Sequence, residues 1–248
     1  MAKEKQIQED QYSFPYHFLP SLDRGGFSQT KTLRWGYEYL SYLRFILNKL
    51  GSKEFSSLAD VGCGDGRFLA EATKRFPEKR FTGIDISERA IAYAKAFNPM
   101  PEYFCGDISS RYFTSRGFDI ITLIETLEHI EPTKIPDFLL GVHKHLRSGG
   151  LLLLTVPTTN IKRNPKHYQH FTIESLSGTL APNFKITEHH YLNKHSLSLR
   201  IFDSILANRF AILNQRQMLD SFYHMYERRY LNASEGDASR IFVIAEKL

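Results

Sequence analysis

The sequence predicts an α/β chain built on a doubly wound parallel sheet. Three observations carry this. Segments with strand and helix patterning alternate along most of the chain. One strand segment, Leu151-Leu152-Leu153-Leu154-Thr155-Val156, is a continuous apolar run, as a parallel strand covered on both faces requires. And Leu58-Ala59-Asp60-Val61 runs into Gly62-Cys63-Gly64-Asp65-Gly66-Arg67-Phe68, a short buried strand followed by a glycine-rich turn that opens a helix.

The elements follow in order. Residues 1–12 are polar and read as a loosely docked tail, followed by the aromatic, proline-punctuated stretch Gln11 to Pro20. A helix is expected from about Thr30 to Leu50, because Leu33, Tyr37, Leu40, Leu43, Phe45, Ile46 and Leu50 give it an apolar stripe at helical spacing and Gly51 stops it. Strands are expected at 57–61, 80–85, 102–104, 118–124 and 150–156, and helices at 66–76, 88–97 and 134–147. Ser148-Gly149-Gly150 reads as the turn before the fifth strand. Phe184 to Leu192 alternates at period two as a sixth strand, and Arg240 to Glu246 is the last. Between them, Leu197, Leu199, Ile201, Phe202, Ile205, Leu206, Phe210 and Ile212 suggest one helix, and Met218 to Tyr226 a second. This helical insertion covers about residues 195–238.

Composition narrows the class. With 248 residues and 42% hydrophobic content the chain can bury the core of one α/β domain. It has no run of about 18 apolar residues, so no membrane span is expected. The N-terminus lacks the apolar segment of a signal peptide. Cys63 and Cys105 lie at predicted strand ends and read as small buried fillers rather than a disulfide. Together these point to a cytoplasmic protein. The net charge of +5 is partly concentrated in Ile161-Lys162-Arg163-Asn164-Pro165-Lys166-His167, which is either a solvated loop or the approach of an anionic substrate or RNA backbone.

The glycine turn suits a nucleotide-type ligand lying against backbone. A dinucleotide fingerprint would need a third glycine where Arg67 stands, and a P-loop would need Gly-Lys-Ser/Thr. Asp85, ending the second strand about 20 residues after the glycines, suits a bidentate contact to ribose hydroxyls. The pattern Asp60-x-Gly62-x-Gly64-x-Gly66 resembles motif I of the class I S-adenosylmethionine (SAM)-dependent methyltransferases. Cys105-Gly106-Asp107-Ile108 resembles the segment that reads the adenine amino group, and Phe118 to Ile124 resembles the fourth strand. The resemblance covers about residues 55–160 and the C-terminal strand. It implies a Rossmann-like seven-stranded methyltransferase sheet with an antiparallel last strand, an N-terminal tail and helical cap over 1–54, and a methyltransferase domain over 55–248 interrupted by the insertion. It implies SAM as cofactor, with Asp60, Gly62, Gly64, Gly66, Asp85, Ile86, Asp107, Ile108 and Glu125 as its contacts.

A second constellation follows the fourth strand, where open α/β folds put their chemistry. If a helical turn begins there, Glu125, Glu128 and His129 project to one side. Lys166-His167-Tyr168-Gln169-His170-Phe171-Thr172 follows the fifth strand and returns to the same edge. The Glu-x-x-Glu-His arrangement resembles the ubiquinone-biosynthesis O-methyltransferases and the small-RNA 3′-terminal 2′-O-methyltransferases. The resemblance implies a divalent ion held by Glu125, Glu128, His129 and His167, with His170 as the competitor for the last place. Two imidazoles suit manganese, iron or cobalt at least as well as magnesium. The same string also occurs in metal-free enzymes of the class, and then His129 or His167 is the candidate general base.

The expected reaction is methyl transfer from SAM to the oxygen of a small phenolic, quinol-type or glycan acceptor. The alternatives are ribose 2′-O-methylation of RNA with a divalent metal, and an inactive binding module. No Asn/Asp-Pro-Pro-aromatic tetrapeptide follows the fourth strand, so nitrogen methylation of nucleic acid is less supported, and the intact glycine turn and Asp85 speak against inactivity. The insertion is a substrate lid, a homodimer contact or plain cover for the sheet.

Overall fold

The computed structural model describes residues 33–109, 117–206 and 215–248. The expectations for the tail, the aromatic stretch to Pro20, the first three residues of the N-terminal helix, and Phe210 and Ile212 lie outside them.

The chain divides into two compact units. The described residues of the first are 55–109, 117–189 and 241–248; those of the second are 33–54, 190–206 and 215–240. The first unit carries the elements β1 (Ser57–Val61), α2 (Arg67–Arg75), β2 (Arg80–Asp85), α3 (Glu88–Phe97), β3 (Glu102–Cys105), β4 (Phe118–Ile124), α4 (Ile135–His145), β5 (Leu146–Pro157) and α5 (Ile173–Leu180). The second carries α1 (Leu33–Gly51), α6 (Leu197–Leu206) and α7 (Arg216–Tyr226). The unit boundaries fall within β6 (Phe184–Lys194) and β7 (Ala238–Lys247).

The sheet has seven strands in the order β3-β2-β1-β4-β5-β7-β6, with β7 antiparallel. Pairs β1–β2, β1–β4, β2–β3 and β4–β5 are parallel. Strand order reverses at β1, which has β2 on one side and β4 on the other. The crevice outside the carboxyl ends of β1 and β4 is therefore where this architecture places a ligand. Every residue of β1 is buried, as a central strand covered on both faces demands.

Local chemistry sets the ends of elements. The Ser87 hydroxyl accepts from the Ala90 N–H and caps α3, and Thr172 and Ser175 form a reciprocal capping box on α5. At the amino end of the sheet, Asp119 accepts from the N–H groups of Ser56 and Ser57 and pairs with Arg147 at 2.7 Å. Those bonds tie β4 to the start of β1.

Two expectations are corrected. β5 begins at Leu146, so Ser148-Gly149-Gly150 lies inside the strand rather than before it. A register shift opposite Phe118 and Ile120 absorbs the irregularity, and Gly149 takes a φ of 70° there. Cys105 is exposed, because β3 is an edge strand and its last residue stands outside the core; only Cys63 is buried, and no disulfide joins them.

Within the second unit, Tyr37, Leu40, Leu43, Ile46 and Leu50 of the expected stripe of α1 are buried, and Leu47 joins them; Phe45 is only half-buried, and the side chain of Leu33 lies outside the described ones. Each buried side chain contributes about 1.5–3 kcal/mol. Tyr37 meets Phe222 at 4.9 Å and Tyr226 at 4.5 Å between ring centroids. Buried Asn193, at a φ of 58°, donates to the Tyr226 hydroxyl at 2.7 Å and accepts from Arg240. The N-terminal helix and the insertion are thus parts of one unit, joined by aromatic packing and this polar knot.

Candidate functional site

The turn after β1 folds as it does because its glycines reach conformations other residues avoid. Gly62, Gly64 and Gly66 have φ of 77°, 56° and 76°. A Cβ on Gly62 would also lie 2.5 Å from the Thr126 hydroxyl oxygen. The Gly62 and Cys63 N–H groups both donate to the Ile84 carbonyl, at 2.7 and 3.1 Å.

Asp85 fastens this turn to the end of β2. Its Oδ2 accepts from Gly64 N–H and its Oδ1 from Ser87 N–H, each at 2.9 Å. A carboxylate oxygen has two acceptor positions, so these bonds are compatible with a further contact to ribose hydroxyls. Ile86, next in sequence, leaves its apolar side chain 39% exposed at the same edge, where a planar base can lie against it. Asp107 is exposed and accepts from Ser109 N–H. Ile108 is buried, and the backbone of Ile108 and Ser109 runs against Gly141 of α4.

Asp60 is placed differently from the other predicted cofactor residues. It is buried within β1 and accepts from the Thr122 hydroxyl at 2.7 Å. Burial pushes its carboxyl from the ordinary 3.8 up to about 7, against the Thr122 bond and with the charge of Asp85 adding to the rise. Its role is inside the sheet, beneath the turn.

After β4, Glu125 sits at a φ of 51°, and its N–H donates to both the carbonyl and the hydroxyl of Thr155. Thr126 follows; its hydroxyl lies 3.2 Å from the Val61 carbonyl and 3.3 Å from that of Ile124. Together with the space left by Gly62, this registers the segment after β4 against the glycine turn. Leu127 to His129 then make one 3₁₀ turn.

That geometry corrects the expected helical face. The turn is tighter than an α-helix and starts only after Glu125, whose left-handed backbone turns it away from the helical repeat. One donor atom from each of Glu128, His129 and His167 lies within 4.8 Å of the others, and Glu125 is not in this group. Glu128 is fully buried. Burial holds the His129 imidazole below its ordinary pKa.

The loop after β5 brings His167 there. Phe171 is buried, donates its N–H to Pro157 and accepts from Thr159 N–H. Tyr168 N–H donates to the Glu128 carbonyl at 2.9 Å, and His129 Nδ1 lies 3.3 Å from the Lys166 carbonyl. The His129 and His167 rings stand edge to face, 4.7 Å apart. His170, the competitor on sequence grounds, lies behind: its Nε2 is 3.0 Å from His167 Nδ1, and its own Nδ1 is 3.0 Å from the Thr158 carbonyl. Sequence reasoning did not see Thr126, or the carbonyls of Thr158 and Lys166, as parts of the site. Hydrogen bonds to backbone carbonyls leave no trace in residue type.

The seven-stranded sheet, in this order and with an antiparallel β7, is the fold typical of methyltransferases. Residues 58–150 match the family model described as a methyltransferase domain. The chain is 25% identical over 127 residues to a trans-aconitate 2-methyltransferase of Azoarcus sp. (strain BH72), covering 50% of this chain and 48% of that protein. It is 32% identical over 132 residues to the mitochondrial ubiquinone biosynthesis O-methyltransferase of Schizosaccharomyces pombe, covering 50% of this chain and 46% of that one. The chain thus spans about half the length of these curated relatives. Its fold matches that of the N-methyltransferase NodS from Bradyrhizobium japonicum WM9, solved with S-adenosyl-L-homocysteine, with a TM-score of 0.63 over 98% of both chains at 17% identity.

Proposed function

We propose that this protein transfers the methyl group of SAM to a hydroxyl oxygen of a small phenolic, quinol-type or glycan acceptor. The observation that carries the reading is the junction of two features at the carboxyl ends of β1 and β4. A Cβ-free turn backed by Asp85 stands on one side, and Glu128, His129 and His167 converge on the other. The turn fits SAM because three glycines hold left-handed backbone without side chains to block close approach.

When bound, SAM supplies an electrophilic methyl carbon on a sulfonium. The methyl–sulfur bond breaks as the oxygen–methyl bond forms, and the acceptor proton must go to a base. The turn and Asp85 hold the cofactor, and His129 or His167 takes the proton; burial keeps His129 neutral and able to do so. Alignment of acceptor, carbon and sulfur supplies much of the rate. Lys162, Arg163 and Lys166 are exposed in the loop that carries His167 and suit an anionic acceptor. The helical cap and the insertion are assigned the cover of the acceptor or a homodimer contact.

A second reading rests on the donor group itself. Glu128, His129 and His167 can supply one oxygen and two nitrogens to a divalent ion, a set suited to manganese, iron or cobalt. An ion there would lower the pKa of a bound hydroxyl, and a vicinal diol such as the 3′-terminal ribose of RNA is the acceptor that fits it.

The test is transfer of label from radiolabelled SAM to phenols, quinols, glycans and short RNA, each with and without EDTA. Chelator-resistant labelling of a small hydroxyl compound supports the first reading. Labelling of RNA alone, abolished by EDTA, selects the second. No measurable SAM affinity in calorimetry sinks both.

A further inference from the structure

The imidazoles beside Glu128 form a hydrogen-bonded chain with a fixed direction. It starts at Thr158, whose carbonyl lies 3.0 Å from His170 Nδ1. A carbonyl only accepts, so His170 carries its hydrogen on Nδ1. At a pH above the histidine range the neutral ring carries that one hydrogen only. Its Nε2 therefore bears a lone pair. His167 Nδ1 lies 3.0 Å from that nitrogen, so His167 must donate from Nδ1. The neutral His167 ring is then left with its lone pair on Nε2. His129 obeys the same logic by another route: Nδ1 lies 3.3 Å from the Lys166 carbonyl and donates to it, which leaves the lone pair on Nε2.

We propose that His170 is a positioning residue that locks His167 in the Nδ1–H tautomer through the Thr158 carbonyl, so that His167, like His129, keeps its Nε2 lone pair in the group these two rings form with Glu128. An imidazole side chain in water prefers the opposite tautomer, with its hydrogen on Nε2. The chain of bonds reverses that preference at His167. The consequence is chemical: only the Nδ1–H form can take an acceptor's proton, or donate to a cation, through Nε2. The inference deepens the proposed function and rests on Glu128, His129 and His167 being its acceptor side.

The experiment reads the tautomer directly. The full ¹⁵N-labelled chain is measured by long-range ¹H–¹⁵N correlation, at a pH about two units above the ordinary histidine pKa so that all rings are neutral. His167 is assigned by its loss in a His167→Asn variant. The expected result is a protonated Nδ1 and an unprotonated Nε2 at His167 in the wild type. His170→Gln keeps this pattern, because its amide oxygen accepts from His167 and its NH₂ donates to Thr158. His170→Leu loses it, and His167 Nε2 moves toward the protonated range, while binding of S-adenosyl-L-homocysteine is retained at the glycine turn. A wild-type His167 protonated on Nε2 overturns the inference without any variant. So does an unchanged His167 tautomer in His170→Leu. The readout needs no turnover, so a failure of methyl transfer strikes the proposed function, whereas a wrong tautomer strikes this inference alone.

Discussion

Asp60 offers the sharpest quantitative test. Its carboxyl is buried in β1, and its pKa rises from 3.8 to about 7, chiefly through burial. The folded chain therefore keeps this proton between about pH 4 and pH 7, where the unfolded chain has lost it. The unfolded state binds fewer protons across that window, so Asp60 makes stability fall as pH rises through it. At about 1.4 kcal/mol per pKa unit, a rise of about three units amounts to roughly 4 kcal/mol of stability lost by pH 8. Asp60→Asn removes the titration and keeps an oxygen to accept from the Thr122 hydroxyl at 2.7 Å in the native chain. Urea unfolding of both proteins is measured from pH 4.5 to 8 at constant ionic strength. Other groups titrate in both and cancel in the difference. The variant is expected to gain on the wild type by about 1.4 kcal/mol per pH unit, levelling off near pH 7. A constant offset between them, of either sign, refutes the reasoning. It would mean that Asp60 ionises normally in the folded state.

Other outcomes follow from the same structure. Gly62→Ala places a Cβ 2.5 Å from the Thr126 hydroxyl oxygen at a φ of 77°, and is expected to weaken SAM binding in calorimetry. Adding Thr126→Ala should recover part of the loss but leave the left-handed backbone cost of about 1–2 kcal/mol. Asp85→Ala removes the acceptor of the Gly64 and Ser87 N–H groups and should cost about 1–3 kcal/mol of SAM affinity, read in the same titration. Glu128→Ala should abolish transfer with SAM affinity retained, and a lowered melting temperature with transfer intact would instead make Glu128 a structural group. Replacing residues 195–238 by a short turn removes Phe222 and Tyr226 from Tyr37 of α1, so the melting temperature should fall. If transfer and oligomeric state also survive unchanged, the insertion has no part in acceptor cover or dimerisation.

The sheet, its helices and the glycine turn were legible in the residues themselves, because each rests on local rules. The run Leu151 to Val156 can only be satisfied by apolar cover on both faces, and Gly62, Gly64 and Gly66 mark left-handed backbone wherever they fold. The place of Asp85 at the end of β2 was legible for the same reason: its distance along the chain from the glycines is set by one helix and one strand. The proposed acceptor side was only half legible. Residue types singled out Glu125, Glu128, His129 and His167, but the backbone of Glu125, which leaves it outside the group, and the 3₁₀ turn after it depend on Thr155 and on the space beside Gly62, which lie elsewhere in the chain. Which nitrogen each histidine presents was not in the sequence at all. It is decided by where the carbonyls of Thr158 and Lys166 come to rest, and a carbonyl is common to every residue until tertiary structure aims it.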